Sequence, residues 1–426
     1  MSATTPPIDR QGAEAVTVSG QGMSAKPPMD RHLVMATIGK FVVCLGFRLP
    51  YVFLTPIAKQ LGTTIGRLGA LMALGELTGL LTGIIGRSLD RGNFRFWLTA
   101  GSGATIAGVA IMGAAATDRI HSPILFALGF ATTALGVATF TTSAHAWLGA
   151  SVPYARRGWS MGRLETSWAF AVLIGAPIFG LVISVFNVST MFVGLIVIST
   201  LSTSLVWRTF GNAHRIDMSA DESNPGETLD YANTIATSGS VEAKALRRRI
   251  IAALVCSAAM SFGSICVFSV YGSWLTERFG LSVRSVGLFS LFVGIAELAA
   301  STLSSAKTDR WGKRRSVAMG ALIMLAGMVG IGIVPTITVL GVAVLVLMFL
   351  GFEFGYVSLL SVISEVGEHR KGTVLSIDHA LSPLGRAGAA ALATSIFDSH
   401  GIEPVSVIGG IASIVAFVAI RAATNR

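Results

Sequence analysis

Among the ionisable side chains that interrupt otherwise long apolar stretches of this 426-residue chain are Arg48, Glu76, His145, Glu297, Glu353 and Arg386. A charge at the centre of a hydrocarbon layer costs about 2.5 to 3.5 kcal/mol on insertion scales, so such residues are kept where they face protein or water. The chemistry they offer is proton handling. A carboxyl in a low-dielectric site binds a proton readily unless a cation offsets it, so a glutamate that alternates between paired and unpaired states can load and release one. Counting about 1.5 Å per residue from the ends of the apolar stretches, Arg48 lies roughly 22 Å deep and Glu76 roughly 15 Å; Glu353 lies roughly 15 Å deep and Arg386 roughly 20 Å. The spacing predicts two ion pairs, Arg48 with Glu76 and Glu353 with Arg386, one in each half. Purely structural pairs between adjacent helices would read the same way. Glu297 has no basic residue placed to neutralise it and is the first choice of proton carrier, with Glu76 second. His145 fits a hydrogen-bonded helix histidine or a proton relay, and Lys40 is near enough to a segment end to snorkel into water.

The elements that must hold these groups are membrane helices. Hydrophobic residues make up 52% of the chain, charged residues 13%, and the mean hydropathy is +0.69. A soluble protein would carry about 25% charged residues, so the composition excludes one. Spanning a bilayer takes about 20 apolar residues, and twelve segments qualify: 33 to 58, 64 to 86, 96 to 117, 122 to 150, 158 to 184, 187 to 208, 250 to 277, 283 to 305, 315 to 334, 337 to 363, 373 to 398 and 403 to 421, here spans 1 to 12. Spans 3, 6, 9 and 12 have no ionisable residue in their interiors and are expected to face lipid.

The net charge of +10 invites a nucleic-acid partner, but its distribution argues otherwise. With the N-terminus inside, Lys59, Arg67, Arg119, Arg278 and Arg284 fall outside and Lys40, Arg48 and Arg386 within spans, leaving most of the 32 Lys and Arg inside. That asymmetry is the positive-inside rule, with both termini cytoplasmic and the lipid bilayer as partner. Residues 1–31 read as a disordered cytoplasmic tail, 32–208 and 250–421 as two six-helix bundles, 209–249 as a cytoplasmic linker and 422–426 as a short tail. Cys44, Cys256 and Cys266 all lie within spans as small core residues, and neither a disulfide framework nor a metal site is indicated.

The two halves are related. Asp90-Arg91-Gly92 follows span 2 and Asp309-Arg310-Trp311-Gly312-Lys313-Arg314 follows span 8, the aspartates 219 positions apart. The glutamates before them, Glu76 and Glu297, are 221 apart. After spans 4 and 10 come Arg156-Arg157-Gly158 and Arg370-Lys371-Gly372, offset by 214. Glu165 and His379 each lie seven residues after those loop glycines, so with Asp378 they sit near the cytoplasmic mouth, where gating and coupling are both open readings. Internally duplicated membrane proteins commonly place a transport pathway at the repeat interface.

Twelve spans in two halves, an Asp-Arg-x-Gly-basic loop after spans 2 and 8 (with Gly86 ahead of the first copy, in which Gly92 comes one residue early) and an Arg-Gly loop after spans 4 and 10 resemble the major facilitator superfamily over residues 33 to 421. The resemblance implies an all-α membrane protein of 12 transmembrane helices in two pseudo-symmetric six-helix bundles, with spans 1, 4, 7 and 10 around a central cavity. It also implies that Asp90 and Asp309 act as cytoplasmic latches, capping a neighbouring helix and pairing with arginine. Gly175-Ala176-Pro177-Ile178-Phe179-Gly180 on span 5 partly matches the Gly-Pro signature of drug:proton antiporters in that superfamily, and a proline kink packed on glycines is the competing reading. Tyr51, three residues after Arg48, and the pair Tyr271 and Trp274 could meet an organic ligand, although interfacial anchoring explains the second pair equally well.

The expected function is therefore secondary active transport by alternating access in the inner membrane, with a small-molecule substrate, protons as coupling ion, no cofactor and a monomeric state. Proton-coupled efflux of a small organic or amphiphilic compound is the leading direction, with proton-coupled uptake of a metabolite the alternative. A channel is remote, as is an intramembrane enzyme, since the chain has no His-Glu-x-x-His run and no Gly-x-Ser-x-Gly elbow on a suitable scaffold.

Overall fold

The computed structural model describes residues 31–81, 93–152, 154–210, 241–366 and 371–422, with the side chains of 154–158, 241–243, 364–366 and 371–382 outside the description. Backbone groups find no water in hydrocarbon, so each apolar segment satisfies its own hydrogen bonds as helix, and no strand occurs among the described residues. Span 1 is Arg31–Val52, carried on by Leu54–Gln60; span 2 is Ile65–Glu76, tightening into the 3₁₀ turn Leu77–Leu81. Spans 3 and 4 are Phe94–Ala115 and Pro123–Ser151. Span 5 runs through Tyr154–Phe170, the π-turn Ala171–Gly175 and Ala176–Val185, and span 6 is Val188–Thr209. In the second half, span 7 is Val241–Phe268 with Tyr271–Phe279, span 8 Val283–Trp311, span 9 Lys313–Ile333, span 10 Thr338–Val366, span 11 Lys371–His400 and span 12 Ile402–Ala422.

Ten of these helices are long and apolar enough to cross a membrane by themselves. The other two predicted spans are 2, whose described part is short and meets Leu54–Gln60 at a 105° bend, and 11, whose 30 residues include Arg386 and Asp398. Helix 7 begins at Val241, inside the stretch expected to be linker, because Ala243, Ala245 and Leu246 are good helix formers and continue the pattern of the span. At the end away from the termini, Thr64, Ser122, Asn187 and Ser282 cap spans 2, 4, 6 and 8, each side chain accepting a backbone N–H at 2.8–3.3 Å.

The duplication extends to packing. Spans 3 and 4 meet through Gly101, Gly108, Gly129 and Gly136, and spans 9 and 10 through Gly320, Gly327, Gly351 and Gly355. A Cβ at Gly101 would come within 2.7 Å of the Phe140 nitrogen, and one at Gly320 within 2.4 Å of the Gly355 Cα. Small residues on facing helices let backbones approach where lipid gives no hydrophobic drive to association. The three cysteines are buried and unpaired.

Two helix breaks bear on the site. Pro177 has no N–H and its ring crowds the carbonyl four residues back, and the helix widens into the π-turn Ala171–Gly175 just ahead of it. Span 7 breaks at Ser269 and Val270. Both breaks lie on helices that face the opposite half.

Candidate functional site

Midway along the helices, two ion pairs join the halves. Arg48 of span 1 grips Glu297 of span 8 with both terminal nitrogens, Nη2 to Oε1 at 2.8 Å and Nη1 to Oε2 at 3.0 Å. Nη1 also donates to the Trp168 carbonyl at 2.6 Å, just ahead of the span 5 π-turn. Both side chains are nearly sealed, at 6% and 7% exposure, and the guanidinium lies over the Phe268 ring at 4.7 Å. The second pair joins Arg386 of span 11 to Glu76 of span 2, Nε to Oε2 at 2.9 Å, while Tyr51 Oη donates to the other oxygen of Glu76 at 2.6 Å. Here the carboxylate is 1% exposed but the arginine 27%.

These pairings correct the expected ones. Arg48 does not take Glu76, nor Arg386 Glu353: each repeat-related glutamate takes its cation from the opposite half, and Glu297 is neutralised after all. Sequence depth along neighbouring helices cannot register partners across a helix bundle, which is why adjacency within a half misled. Glu353 is left with a hydroxyl partner, Ser301 Oγ at 2.5 Å, and makes no ion pair among the described residues.

Toward the termini, one carboxylate oxygen gathers two expected candidates. Glu165 Oε1 accepts from Lys40 Nζ at 2.6 Å and meets His145 Nε2 at 2.6 Å, joining spans 1, 4 and 5. Lys40 is fully buried rather than snorkelling, since a carboxylate within reach holds its ammonium inside. Glu165 itself is 41% exposed and His145 25%.

Aromatic rings fill the space between the two arginines. Phe47 stacks on Phe130 at 5.2 Å and meets Trp168 edge-on at 6.0 Å, Tyr51 meets Phe268 at 5.8 Å, and Phe268 and Tyr271 both contact Phe349. Phe47, Phe130, Trp168, Phe268 and Phe349 were not singled out from sequence. Their signal was helical spacing: Phe47 is four before Tyr51, Trp168 three after Glu165 and Phe268 three before Tyr271. Tyr51 and Tyr271 belong to this cluster, but Trp274 packs instead on Phe279 at 5.2 Å and is buried away from it.

Beyond the ion pairs, at the end away from the termini, the halves close on each other. Gly287 of span 8 stands where a Cβ would lie 2.4 Å from the Ala176 carbonyl oxygen, and Gly294 where one would lie 2.6 Å from Leu173 backbone. Gly66 and Gly69 of span 2 abut Asp398 and Thr394 of span 11, and Thr55 Oγ1 donates to Ser273 Oγ at 2.8 Å between spans 1 and 7. Of the span 5 segment, Gly180 serves the seam by facing Gly287, while Gly175 packs on Leu45 of span 1 within its own half and Pro177 follows the π-turn. Toward the termini, Gly149 and Gly162 face open space, whereas Gly79 of span 2 lies against Pro383 of span 11, where a Cβ would stand 3.3 Å from the proline ring.

Asp309 and Arg310 are exposed, and the Asp309 carboxylate has no ion-pair partner among the described residues. Gly312, at φ +88°, makes the sharp turn from Trp311 into span 9, a backbone region that residues with a Cβ rarely enter, and Lys313 and Arg314 open that span. Gly86, Asp90, Arg91, Gly92 and Arg370 lie outside the described residues, as do the side chains at Arg157, Gly158, Gly372, Asp378 and His379.

The family model of the Major Facilitator Superfamily matches residues 36–387 and, a second time, 253–425. The chain is 24% identical over 314 residues to the uncharacterized MFS-type transporter YwfA of Bacillus subtilis (strain 168), covering 73% of each protein. Its fold is similar to that of the E. coli xylose transporter XylE in a partially occluded inward open conformation, at 16% identity and a TM-score of 0.66, over 91% of this chain and 96% of that one. It is also similar to a D-xylose-proton symporter, at 14% identity and a TM-score of 0.69, over 92% and 96% of the two chains. A duplicated bundle of twelve membrane helices, joined across its centre by crossed ion pairs and matched by the family model along most of its length, is a multi-pass transporter rather than an enzyme, and the chain belongs to the Major Facilitator Superfamily.

Proposed function

We propose that this chain is a proton-coupled symporter that carries a small polar organic solute into the cell, working as a monomer in the cytoplasmic membrane with both termini inside. The observation that carries this reading is the crossed pairing of Arg48 with Glu297 and Arg386 with Glu76. A proton arriving on Glu76, the glutamate of the more open pair, cancels one link between the halves and leaves Arg386 uncompensated, a costly state unless another polar group replaces the carboxylate. A solute can be that group. Proton and solute then bind together, the condition for symport, and leave together when the halves rock. Glu353, held by Ser301 and making no ion pair among the described residues, is a second candidate for carrying the proton. With both termini inside, the seams closed at the opposite end support an inward-facing reading, in which exposed Asp309 is a released latch.

Antiport efflux is the second reading, favoured by the partial match of Gly175 to Gly180 with drug:proton antiporters. The packing of those residues against spans 1 and 8 supplies a structural reason for them and lowers their weight as an antiporter signature. The D-xylose-proton symporter of similar fold is a precedent for symport on this architecture. Proteoliposomes with a trapped pH dye separate the two. A solute added outside acidifies the lumen under symport and alkalinises it under antiport, and transport with no pH change would sink proton coupling altogether.

A further inference from the structure

The two central arginines differ in what their donors are doing. Arg48 has spent its fork: both terminal nitrogens bind Glu297, one also binds the Trp168 carbonyl, and the side chain is sealed. Arg386 is tethered only by Nε, to Glu76, with one face over the Phe47 ring at 5.1 Å from its Cζ. Its Nη1 and Nη2 make no hydrogen bond among the described residues, although the side chain is 27% exposed. Next to it, Gly385 stands where a Cβ would meet nothing within 4 Å. An arginine fixed at its Nε edge and against a ring, partly exposed and with its Nη donors uncommitted among the described residues, is preorganised for a planar oxyanion.

We propose that the transported solute is an organic monocarboxylate whose two oxygens dock on the Nη fork of Arg386, its apolar body lying against the neighbouring aromatic cluster. This rests on the symport reading. Glu76 already has both oxygens engaged, one by Nε and one by Tyr51, so when it takes a proton the arginine loses its counter-charge and the solute carboxylate supplies a new one. The charges balance. One proton on Glu76 and one carboxylate on Arg386 restore the net charge the site held empty, so each cycle moves one proton with one anion and no net charge.

Thermal-shift titrations of the purified full chain test this with benzoate, phenylacetate and pyruvate, and with benzamide and benzylamine as neutral and cationic isosteres. The expected result is stabilisation by at least one carboxylate, stronger in mildly acidic than in mildly alkaline buffer, and none by benzamide or benzylamine. Arg386→Lys keeps the charge opposite Glu76 but removes the fork, and should weaken carboxylate binding about tenfold while the protein stays folded. Arg386→Gln should abolish it. In proteoliposomes, uptake of the bound carboxylate should follow an imposed pH gradient and ignore an imposed membrane potential. Failure of every carboxylate to bind, equal binding of benzamide, or full binding by Arg386→Lys overturns the proposal. A neutral solute that acidifies the lumen would overturn the anion while leaving symport standing, whereas solute transport without any proton movement would remove both.

Discussion

The two bridges between the halves are built from the same residue types yet sit in different surroundings. Arg48–Glu297 is bidentate, sealed at 6% and 7% exposure, and lies beside a seam where backbone meets backbone at Gly287, Ala176 and Gly180. Arg386–Glu76 is a single contact with a partly exposed arginine, beside a seam where glycines meet side chains, Gly69 against Thr394 and Gly66 against Asp398. A sealed, fully engaged pair resists change because breaking it strands a charge. The open pair can exchange partners at lower cost, because water or solute can reach the arginine. The first bridge thus serves as the pivot and the second as the working site, and each can be broken separately.

Glu297→Gln should have the largest effect. It leaves the Arg48 guanidinium buried against a neutral amide, and losing one partner of a buried pair costs about 3–5 kcal/mol. The expected outcome is a large drop in thermal stability and folded yield in detergent, with partial recovery when Arg48→Met is added to remove the stranded charge. A variant as stable as the parent would deny the pivot role. Gly287→Ala comes next: its Cβ would need to displace the Ala176 carbonyl, and overpacking of this kind costs roughly 1–3 kcal/mol. Because the strain arises only when that seam is closed, the variant should favour the conformation open at the end away from the termini. Labelling of a cysteine introduced at Thr55, in a background without Cys44, Cys256 and Cys266, should become faster. Gly69→Ala should act in the same direction, since the Thr394 Cβ, which rotation of that side chain does not move, lies 2.5 Å from where the new Cβ would sit.

Glu76→Gln should be milder for the fold, about 1–2 kcal/mol, because Arg386 keeps access to water and the amide oxygen can still accept hydrogen bonds. Its effect falls on coupling. The amide imitates the protonated carboxyl permanently, so solute binding should lose its pH dependence and exchange of labelled for unlabelled solute should continue. Uptake driven by a pH gradient should vanish; if it persists, the proton rides elsewhere, with Glu353 the next residue to test.

Much of this was legible in the sequence. Apolar runs of sufficient length force helices in a bilayer, the loop repeats exposed the duplication, and intramembrane charges marked the polar centre at Arg48, Glu76, Glu297 and Arg386. The partners were not legible. A helix carries its depth in its residue count, but which helix it faces is set by rotation and crossing in the assembled bundle, so Glu297 looked unpaired until span 1 was set beside span 8. Lys40 failed for a related reason: a short distance to the helix end predicts snorkelling only when no acid such as Glu165 waits inside. The glycine seams at Gly101 to Gly136 and Gly320 to Gly355 were visible as spacing but silent without a partner helix to read them against.

The smallest perturbation bears most directly on the difference between the bridges. Tyr51 Oη donates to the Glu76 oxygen that Arg386 leaves free, at 2.6 Å, and no hydroxyl has an equivalent place at Glu297, whose two oxygens both go to Arg48. Tyr51→Phe keeps the ring in its contacts with Phe47, Phe130 and Phe268 and deletes one hydrogen bond, a loss of about 1 kcal/mol or less in stability. If the tyrosine only fills space, transport should be unchanged. If Glu76 works by exchanging partners, one constraint on its carboxyl is gone, and the pH at which solute binding is half-maximal should move while thermal stability barely does. A Tyr51→Phe protein with parental stability and an unaltered pH profile would mean that the Glu76 bridge is as static as its sealed counterpart, and the division into pivot and working site would fall.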